Sequence, residues 1–172
     1  MAICIASPLS RQHIRAMAMF IRKVDKSENM LFFDIVKFLD VVLPKMVPNF
    51  SLVIEGRDKM GECHGLTFPD RDEIHIREDV YIRASNGSGR DRLTMAHELF
   101  HLLQHEKRNI SYARMEAKEQ VKVYMDPEWQ ADAFGGELLI PAHLIKNMTV
   151  DEIVDKCKVS WSAAEYQLYK CN

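Results

Sequence analysis

Apolar residues recur at helical spacing along the first fifty positions of the chain. After Ser10, a residue type that caps helices, four of them fall on one helical face: Ile14, Met17, Ile21 and Val24. A second apolar face runs through residues 30–46, and Pro44 and Pro48 mark where that helix is expected to close. The pattern therefore predicts two N-terminal helices, the second well buried, within about 10–46.

Between about 50 and 77 the apolar residues no longer follow helical spacing. The segments FSLVIE, ECHGLTF and EIHI are rich in β-branched residues or alternate apolar with polar residues. The sequence PDRD at 69–72 has the composition of a turn. We therefore predict a small antiparallel sheet that includes a hairpin closed at this turn.

Helical patterns return after the stretch SNGSGRD and continue to the end of the chain. The helices are expected at about 91–106, 112–122 and 127–139, followed by a helical tail over 142–172. In that tail Thr149 and Glu152 match a capping box, and a last helix starts near Ser160. Because no repeat or long linker interrupts the pattern, we expect residues 1–172 to form one α+β domain, a small sheet packed on several helices.

Composition and charge narrow the class of protein without naming a partner. Hydrophobic residues make up 47% of the chain and charged residues 28%, and the formal net charge of −2 argues against a basic nucleic-acid surface. The N-terminus lacks the features of a signal peptide, and no run reaches the roughly 18 apolar residues of a membrane span. The four cysteines are scattered without a CxxC pair, as expected for reduced thiols rather than metal ligands. We expect a cytoplasmic protein that does not contact membranes.

The stretch MAHELFHLLQHE at 95–106 carries the most specific chemistry in the chain. On a helix, His97 and His101 project from the same side about 6 Å apart along the axis, so both imidazoles can bind one metal ion. Imidazole pairs at this spacing suit zinc, and Glu98, rotated about 100° from His97, is better placed to act on a bound water. The motif predicts a zinc site with Glu98 as general base.

A catalytic zinc also needs a third protein ligand. His105 extends the histidine series, but it lies about 12 Å from His97 along the helix and is too far away to share the ion. The remaining candidate is Glu128, which has Asp132 one turn later on the same helical face. Asp132 is suited to accept the free N–H of a liganding histidine and so fix its tautomer. The alternative is that both acids belong to the charged face of a surface helix.

Two spaced motifs carry a resemblance to a known family. The segments GRDRLTMAHELFHLLQHE and EWQADAFGGELLIP, and more weakly GLTFPDRDEIHI and VSWSAAEYQL, resemble the ImmA/IrrE family of HExxH metallopeptidases found in bacteria and their mobile elements. The resemblance implies a zincin-like fold whose active-site helix carries HExxH. It also implies that His97, His101 and Glu128 are zinc ligands and that Glu98 is the catalytic residue.

Two positions depart from the family pattern. Asp132 stands where the family usually has asparagine, which keeps a hydrogen-bond acceptor but adds a charge. Phe100 stands where the family usually has glycine, and it is expected either to narrow the cleft or to pack inward. Family members often cleave a helix-turn-helix repressor, and others are toxin-like partners of antitoxins. The resemblance therefore implies a zinc endopeptidase that acts on a regulatory protein; the alternative is a zinc-stabilised interaction module that cleaves nothing.

Two further predictions concern partners. The strand that contains Ile74, His75 and Ile76 precedes the active-site helix, where zincin folds present a sheet edge to the substrate, so we expect it to pair with an extended peptide. The alternative is an ordinary half-buried strand. The final helix pair resembles half of a helix-turn-helix, but from Ser160 onward it offers only Lys170 as a basic residue. We therefore expect it to pack on the core without contacting nucleic acid directly.

Overall fold

The computed structural model describes residues 3–104, 110–113 and 122–171. Its helices are α1 Arg11–Val24, α2 Ile35–Lys37, α3 Leu43–Met46, α4 Arg57–Met60, α5 Glu78–Ser85, α6 Gly89–Gln104, α7 Pro127–Leu139, α8 Val150–Cys157 and α9 Trp161–Cys171. Its strands are β1 Ile3–Ala6, β2 Ser51–Glu55, β3 Gly65–Phe68, β4 Glu73–Arg77 and β5 Ile110–Ala113. A small sheet packed on several helices confirms the predicted α+β class, and the arrangement is consistent with a zincin-like fold.

The N-terminal helices follow the apolar pattern, with one correction. Helix α1 begins after Ser10, whose hydroxyl accepts a hydrogen bond from the backbone N–H of His13, and it packs on α7. The second helical region begins after Asp34, later than predicted, and continues past Pro44 to Met46. A π-helical turn, Phe38–Val42, precedes the proline, which therefore sits in the first turn of α3, where its missing N–H costs little.

The three-stranded sheet is mixed, so the prediction of an antiparallel sheet is wrong for one of its two strand pairs. Its order is β2-β4-β3. Strands β3 and β4 form the predicted antiparallel hairpin around the 3-10 turn Pro69–Arg71, whereas β2 runs parallel to β4. Strand β3 pairs with one side of β4. Strand β2 pairs with the other side and runs in the same direction as β4. Strand β4 is therefore central.

Other differences lie in regions where long-range pairing outweighs local pattern. A helix was predicted at about 112–122, but residues 110–113 form β5, which pairs antiparallel with the unpredicted strand β1; residues 114–121 lie outside the described part of the chain. The helices α4 and α5 were also not predicted. The active-site helix α6 was expected at about 91–106 and runs from Gly89 to Gln104, so His105 falls outside the described residues.

The core forms where α6 and α7 pack against each other and against α1 and the sheet. Helix α8 begins with the predicted capping box between Thr149 and Glu152. Helix α9 contacts α7 and buries Ala164 and Gln167, as expected for a helix that packs on the core. Over the described ranges, no helix has both the length and the apolar character needed to cross a membrane.

Candidate active site

Helix α6 presents the two histidines of the HExxH motif to a cleft because its opposite side is anchored in the core. Met95, Ala96 and Leu99 are fully buried, and the Phe100 ring packs 5.2 Å from that of Phe134, measured between centroids. The departure at Phe100 is thus accommodated inside the core, and this side chain does not line the cleft. The outward face carries His97 and His101, whose Nε2 atoms lie 2.9 Å apart.

Helix α7 brings a carboxylate to the same point. Asp126 caps this helix by accepting a hydrogen bond from the backbone N–H of Glu128, which places Glu128 in the first turn. The Glu128 carboxylate oxygens lie 3.3 Å from Nε2 of His97 and 3.6 Å from Nε2 of His101. One ligand atom from each of these three residues falls within 4.8 Å of the others. The structure therefore brings together the three residues that the sequence proposed as ligands.

Asp132 lies one turn further along α7, on the side of His97 away from His101. The Nδ1–H group of His97 donates to Oδ1 of Asp132 at 2.8 Å, which directs Nε2 toward Glu128 and His101. Burial lowers the pKa of His97, but the hydrogen bonds with Asp132 and Glu128 outweigh it and raise the pKa to about 9. The carboxylates thus form a strongly cation-binding environment around this imidazole.

Glu98 is buried beside the cleft and held by strand β3. The Thr67 hydroxyl donates a hydrogen bond of 2.7 Å to Oε2 of Glu98. Burial raises the pKa of Glu98, and the Thr67 hydrogen bond opposes this shift. Gly65 lies against the same side chain, since a Cβ atom built there would meet Cγ of Glu98 at 2.6 Å. A carboxylate with a raised pKa next to a cleft has the character of a general base.

Sequence reasoning missed Gly65 and Thr67. Both lie in the hairpin segment that resembles the family only weakly, and neither residue type signals chemistry in isolation. Thr67 is 31 positions away from Glu98 along the chain, so only the packing of β3 on α6 joins them. Their signal in the sequence was limited to a small residue and a hydroxyl in a predicted strand.

The cleft has a volume of about 600 Å³ and lies between β3, α6 and the start of α7. Residues of β3 and of the turn after it form one wall, and both histidines and Glu128 line the cleft with Glu98. The prediction that β4 offers a free sheet edge to a peptide is wrong. Strand β4 has β2 on one side and β3 on the other, so it has no free edge for a peptide.

The side chains of β4 agree with this correction. Ile74 and Ile76 are fully buried, and His75 pairs with Glu73 at 3.0 Å and packs edge-on against Phe68. The strand beside the cleft is β3, which is an edge strand of this sheet within the described part of the chain. An alternating pattern such as EIHI is the same for a central strand and an edge strand, so the sequence did not distinguish them.

Comparison with known families agrees with the geometry of this cleft. A peptidase family model described as the IrrE N-terminal-like domain matches residues 57–169, which include every residue of the cleft named above. The chain belongs to the IrrE N-terminal-like peptidase family. The matched region runs from α4 to α9, so α1 lies outside it although this helix packs on α7. A search of curated proteins finds no match to the chain. Membership in this peptidase family implies a protein or peptide substrate.

Proposed function

We propose that this protein is a zinc-dependent endopeptidase in which His97, His101 and Glu128 hold the metal. The observation that carries the proposal is the convergence of ligand atoms. One ligand atom each from His97, His101 and Glu128 lies within 4.8 Å of the other two. The two Nε2 atoms are 2.9 Å apart, one Glu128 oxygen lies 3.3 Å from His97, and the other oxygen lies 3.6 Å from His101. Tetrahedral zinc with bonds of about 2.0–2.2 Å would need its ligand atoms about 3.3–3.6 Å apart. Two imidazoles and one carboxylate are also a donor set found in catalytic zinc sites, which leave the fourth position open.

Zinc held by His97, His101 and Glu128 would supply Lewis-acid chemistry, since it would lower the pKa of a bound water to about 7 and polarise a carbonyl group of the substrate. Glu98 accepts the proton of the attacking water and transfers it to the leaving amine. The Thr67 hydroxyl holds the Glu98 carboxylate in place, and Asp132 keeps His97 in the tautomer whose Nε2 is free to bind. The reaction is a direct hydrolysis, so it needs no covalent intermediate.

The substrate is proposed to lie as an extended segment along β3. Among the described strands, this one lies at an edge of its sheet, and Gly65, Leu66 and Thr67 line the cleft with the histidines. An extended peptide adds to such an edge through backbone hydrogen bonds, which bring its carbonyl groups past the metal site. This pairing takes the place of the one first expected on β4.

The biological target is proposed to be a regulatory protein, a helix-turn-helix repressor or an antitoxin. Support comes from the resemblance to the ImmA/IrrE family, in which such targets occur, and from a cleft of about 600 Å³ walled by a strand of the sheet. The competing proposal is an interaction module that binds a partner and retains zinc only for stability. The two proposals differ in the role of Glu98.

Metal content is the first test. Protein purified without added metal should contain one zinc per chain by elemental analysis. The Glu98→Gln variant should keep the metal, because Glu98 is not a ligand in this proposal, whereas Glu128→Ala should lose most of it. Glu165→Ala, which removes an exposed carboxylate of α9, is the matched control and should keep the metal. A wild-type protein that neither contains nor takes up zinc would refute the proposed site.

Activity then separates the two proposals. A peptide library prepared from a cell lysate samples many sequences at once, and mass spectrometry of new termini detects cleavage even when the target has not been identified. Zinc-loaded wild type should produce new termini and zinc-loaded Glu98→Gln should not. If the wild type and Glu98→Gln both bind zinc, and the wild type produces no new termini from peptides or from a candidate repressor, the interaction module is the better account.

A further inference from the structure

A second cavity continues the catalytic cleft toward the N- and C-terminal helices. It has a volume of about 330 Å³ and is formed by residues of α1, α6, α7 and α9. A groove of about 290 Å³ lies between the two spaces. That groove shares His97 and Glu98 with the catalytic cleft, and it shares Leu93 and Asp132 with the second cavity. The three spaces are therefore neighbours along one side of α6 and α7.

The lining of the cavity favours an apolar occupant. Small residues on α7 and α9 leave the space open: Ala133, Gly136 and Ala163. The aromatic side chains of Trp129 and Tyr166 form further parts of its wall. The volume lies at the lower end of the range for small-molecule pockets and suits one large side chain rather than a whole ligand.

Arg11, the basic residue of this lining, is already paired within the fold. Nε of Arg11 donates to Glu137 at 2.8 Å, and Nη2 donates to Oε1 of Gln167 at 2.6 Å. Its Nη1 atom is shielded from water and has no hydrogen-bond partner in the described ranges, and the guanidinium lies 5.4 Å from the centre of the Tyr166 ring. Glu137 also pairs with Arg15, so one carboxylate serves two guanidinium groups. Because Asp132 adds a negative charge to the lining, the apolar wall rather than the charge of Arg11 carries the assignment.

We propose that this second cavity is a specificity pocket for a large apolar side chain of the polypeptide bound in the catalytic cleft. The proposal rests on the proposed peptidase function and names the substrate feature that it selects. Asp132 lines the cavity and lies 2.8 Å from His97, and an extended chain advances about 3.3–3.6 Å per residue. The residue it selects is proposed to lie close to the scissile bond along the chain, and peptide probes test the three nearest positions on either side.

Peptide hydroxamates test the pocket without requiring turnover, because the hydroxamate group chelates zinc and the peptide enters the cleft on one side of it. The probes are triglycine hydroxamates in which one position at a time carries phenylalanine or glutamate, with the chelating group at either end of the peptide. Binding to zinc-loaded protein is measured by titration calorimetry. We expect one phenylalanine position to bind about ten- to a hundred-fold tighter than the all-glycine parent, as burial of one large apolar side chain provides.

Two variants alter the pocket from opposite directions. Ala163→Leu fills the cavity and should abolish the preference for phenylalanine while leaving the all-glycine parent unaffected. Tyr166→Ala removes part of the wall and should reduce the preference, which keeps the test valid if the first variant does not fold. Tyr169→Ala is the matched control, because this exposed tyrosine is on the same helix but does not line the cavity. It should bind every probe as the wild type does.

The possible outcomes separate this pocket from the peptidase proposal. If the all-glycine probe binds but phenylalanine adds nothing, or its advantage survives both pocket variants, the pocket assignment is wrong and the metal site stands. A glutamate probe that binds best would overturn the apolar assignment in favour of Arg11 as an anion contact. If none of the hydroxamates binds zinc-loaded protein, the metal has no position open to a ligand, and both the peptidase proposal and the pocket are refuted.

Discussion

Substitution of Gly65 by alanine tests whether β3 sets the position of the general base. A Cβ atom at this position would lie 2.6 Å from Cγ, 2.8 Å from Oε1 and 2.9 Å from Cδ of Glu98. Ordinary van der Waals contact begins at 3.4 Å. The two groups must therefore separate by about 0.8 Å, and Glu98 has little freedom to do so, because it is buried and hydrogen-bonded to Thr67.

The expected size of the effect follows from this displacement. A misplacement of about 1 Å in a catalytic group costs on the order of 100-fold in rate. Complete removal of a general base costs about 100- to 10,000-fold. Gly65→Ala should therefore lower kcat about 100-fold while zinc content stays at one per chain, since no ligand atom is in the collision.

The assay compares kcat for a library peptide that the wild type cleaves, with zinc content measured on the same samples. Gly56→Ala is the matched control: its Cβ atom would come within 2.4 Å of an Asp58 oxygen, but that side chain is exposed and free to rotate away. The control should keep wild-type activity. Wild-type kcat in Gly65→Ala would refute the steric argument, and loss of zinc would show that the substitution acts through the metal site instead.

Four further predictions test the surroundings of the site and the fold. Thr67→Val removes the hydrogen bond that lowers the pKa of the general base, so the acidic limb of the kcat/KM pH profile should move to higher pH; an unmoved limb would contradict this role. In the wild type, zinc competes with a proton on His97 up to pH about 9, so affinity measured against a chelator should rise with pH to that value. Asp132→Asn removes a carboxylate that raises the pKa of His97, so the increase of zinc affinity with pH should end at a lower pH than in the wild type. The zinc affinity reached at high pH should fall about 10- to 100-fold. Identical affinity curves for the variant and the wild type would argue against the contact between Asp132 and His97. Arg22 is fully buried and donates hydrogen bonds to four backbone carbonyls. Arg22→Met should therefore lower the free energy of unfolding, measured by urea denaturation, by about 3 kcal/mol or more. The control Arg57→Met, at an exposed ion pair, should lower it by less than about 1 kcal/mol. Equal losses in the two arginine variants would contradict the structural role of the buried one.

Most of the candidate metal site was predictable because its parts are local. Helical pitch alone places His97 and His101 on one face, and the cap and proline before Glu128 define where the next helix begins. Helix α1, the capping box of α8 and the hairpin of β3 and β4 are predictable for the same reason. Each depends on residues a few positions apart, whose geometry follows from backbone hydrogen bonds within one element.

The rest required contacts between distant parts of the chain. The alternation in β4 is compatible with either a central or an edge strand, and only the parallel pairing with β2 excludes a free edge there. Pairing with β1 gives residues 110–113 a strand conformation in a segment whose local pattern favoured a helix. In both cases the structure depends on which distant strand forms the hydrogen-bonded pair, and the local pattern of apolar residues does not specify the partner.

Local sequence specifies the chemical groups of this site: a pair of histidines, a glutamate between them and a carboxylate on a later helix. Contacts between distant segments specify how these groups are arranged. They place Gly65 and Thr67 against Glu98, make β3 the wall of the cleft and open a second cavity between helices from both ends of the chain. The division has a physical reason, because ligand spacing on a helix is set by backbone pitch, whereas the position of a base and the shape of a pocket depend on close packing between distant segments.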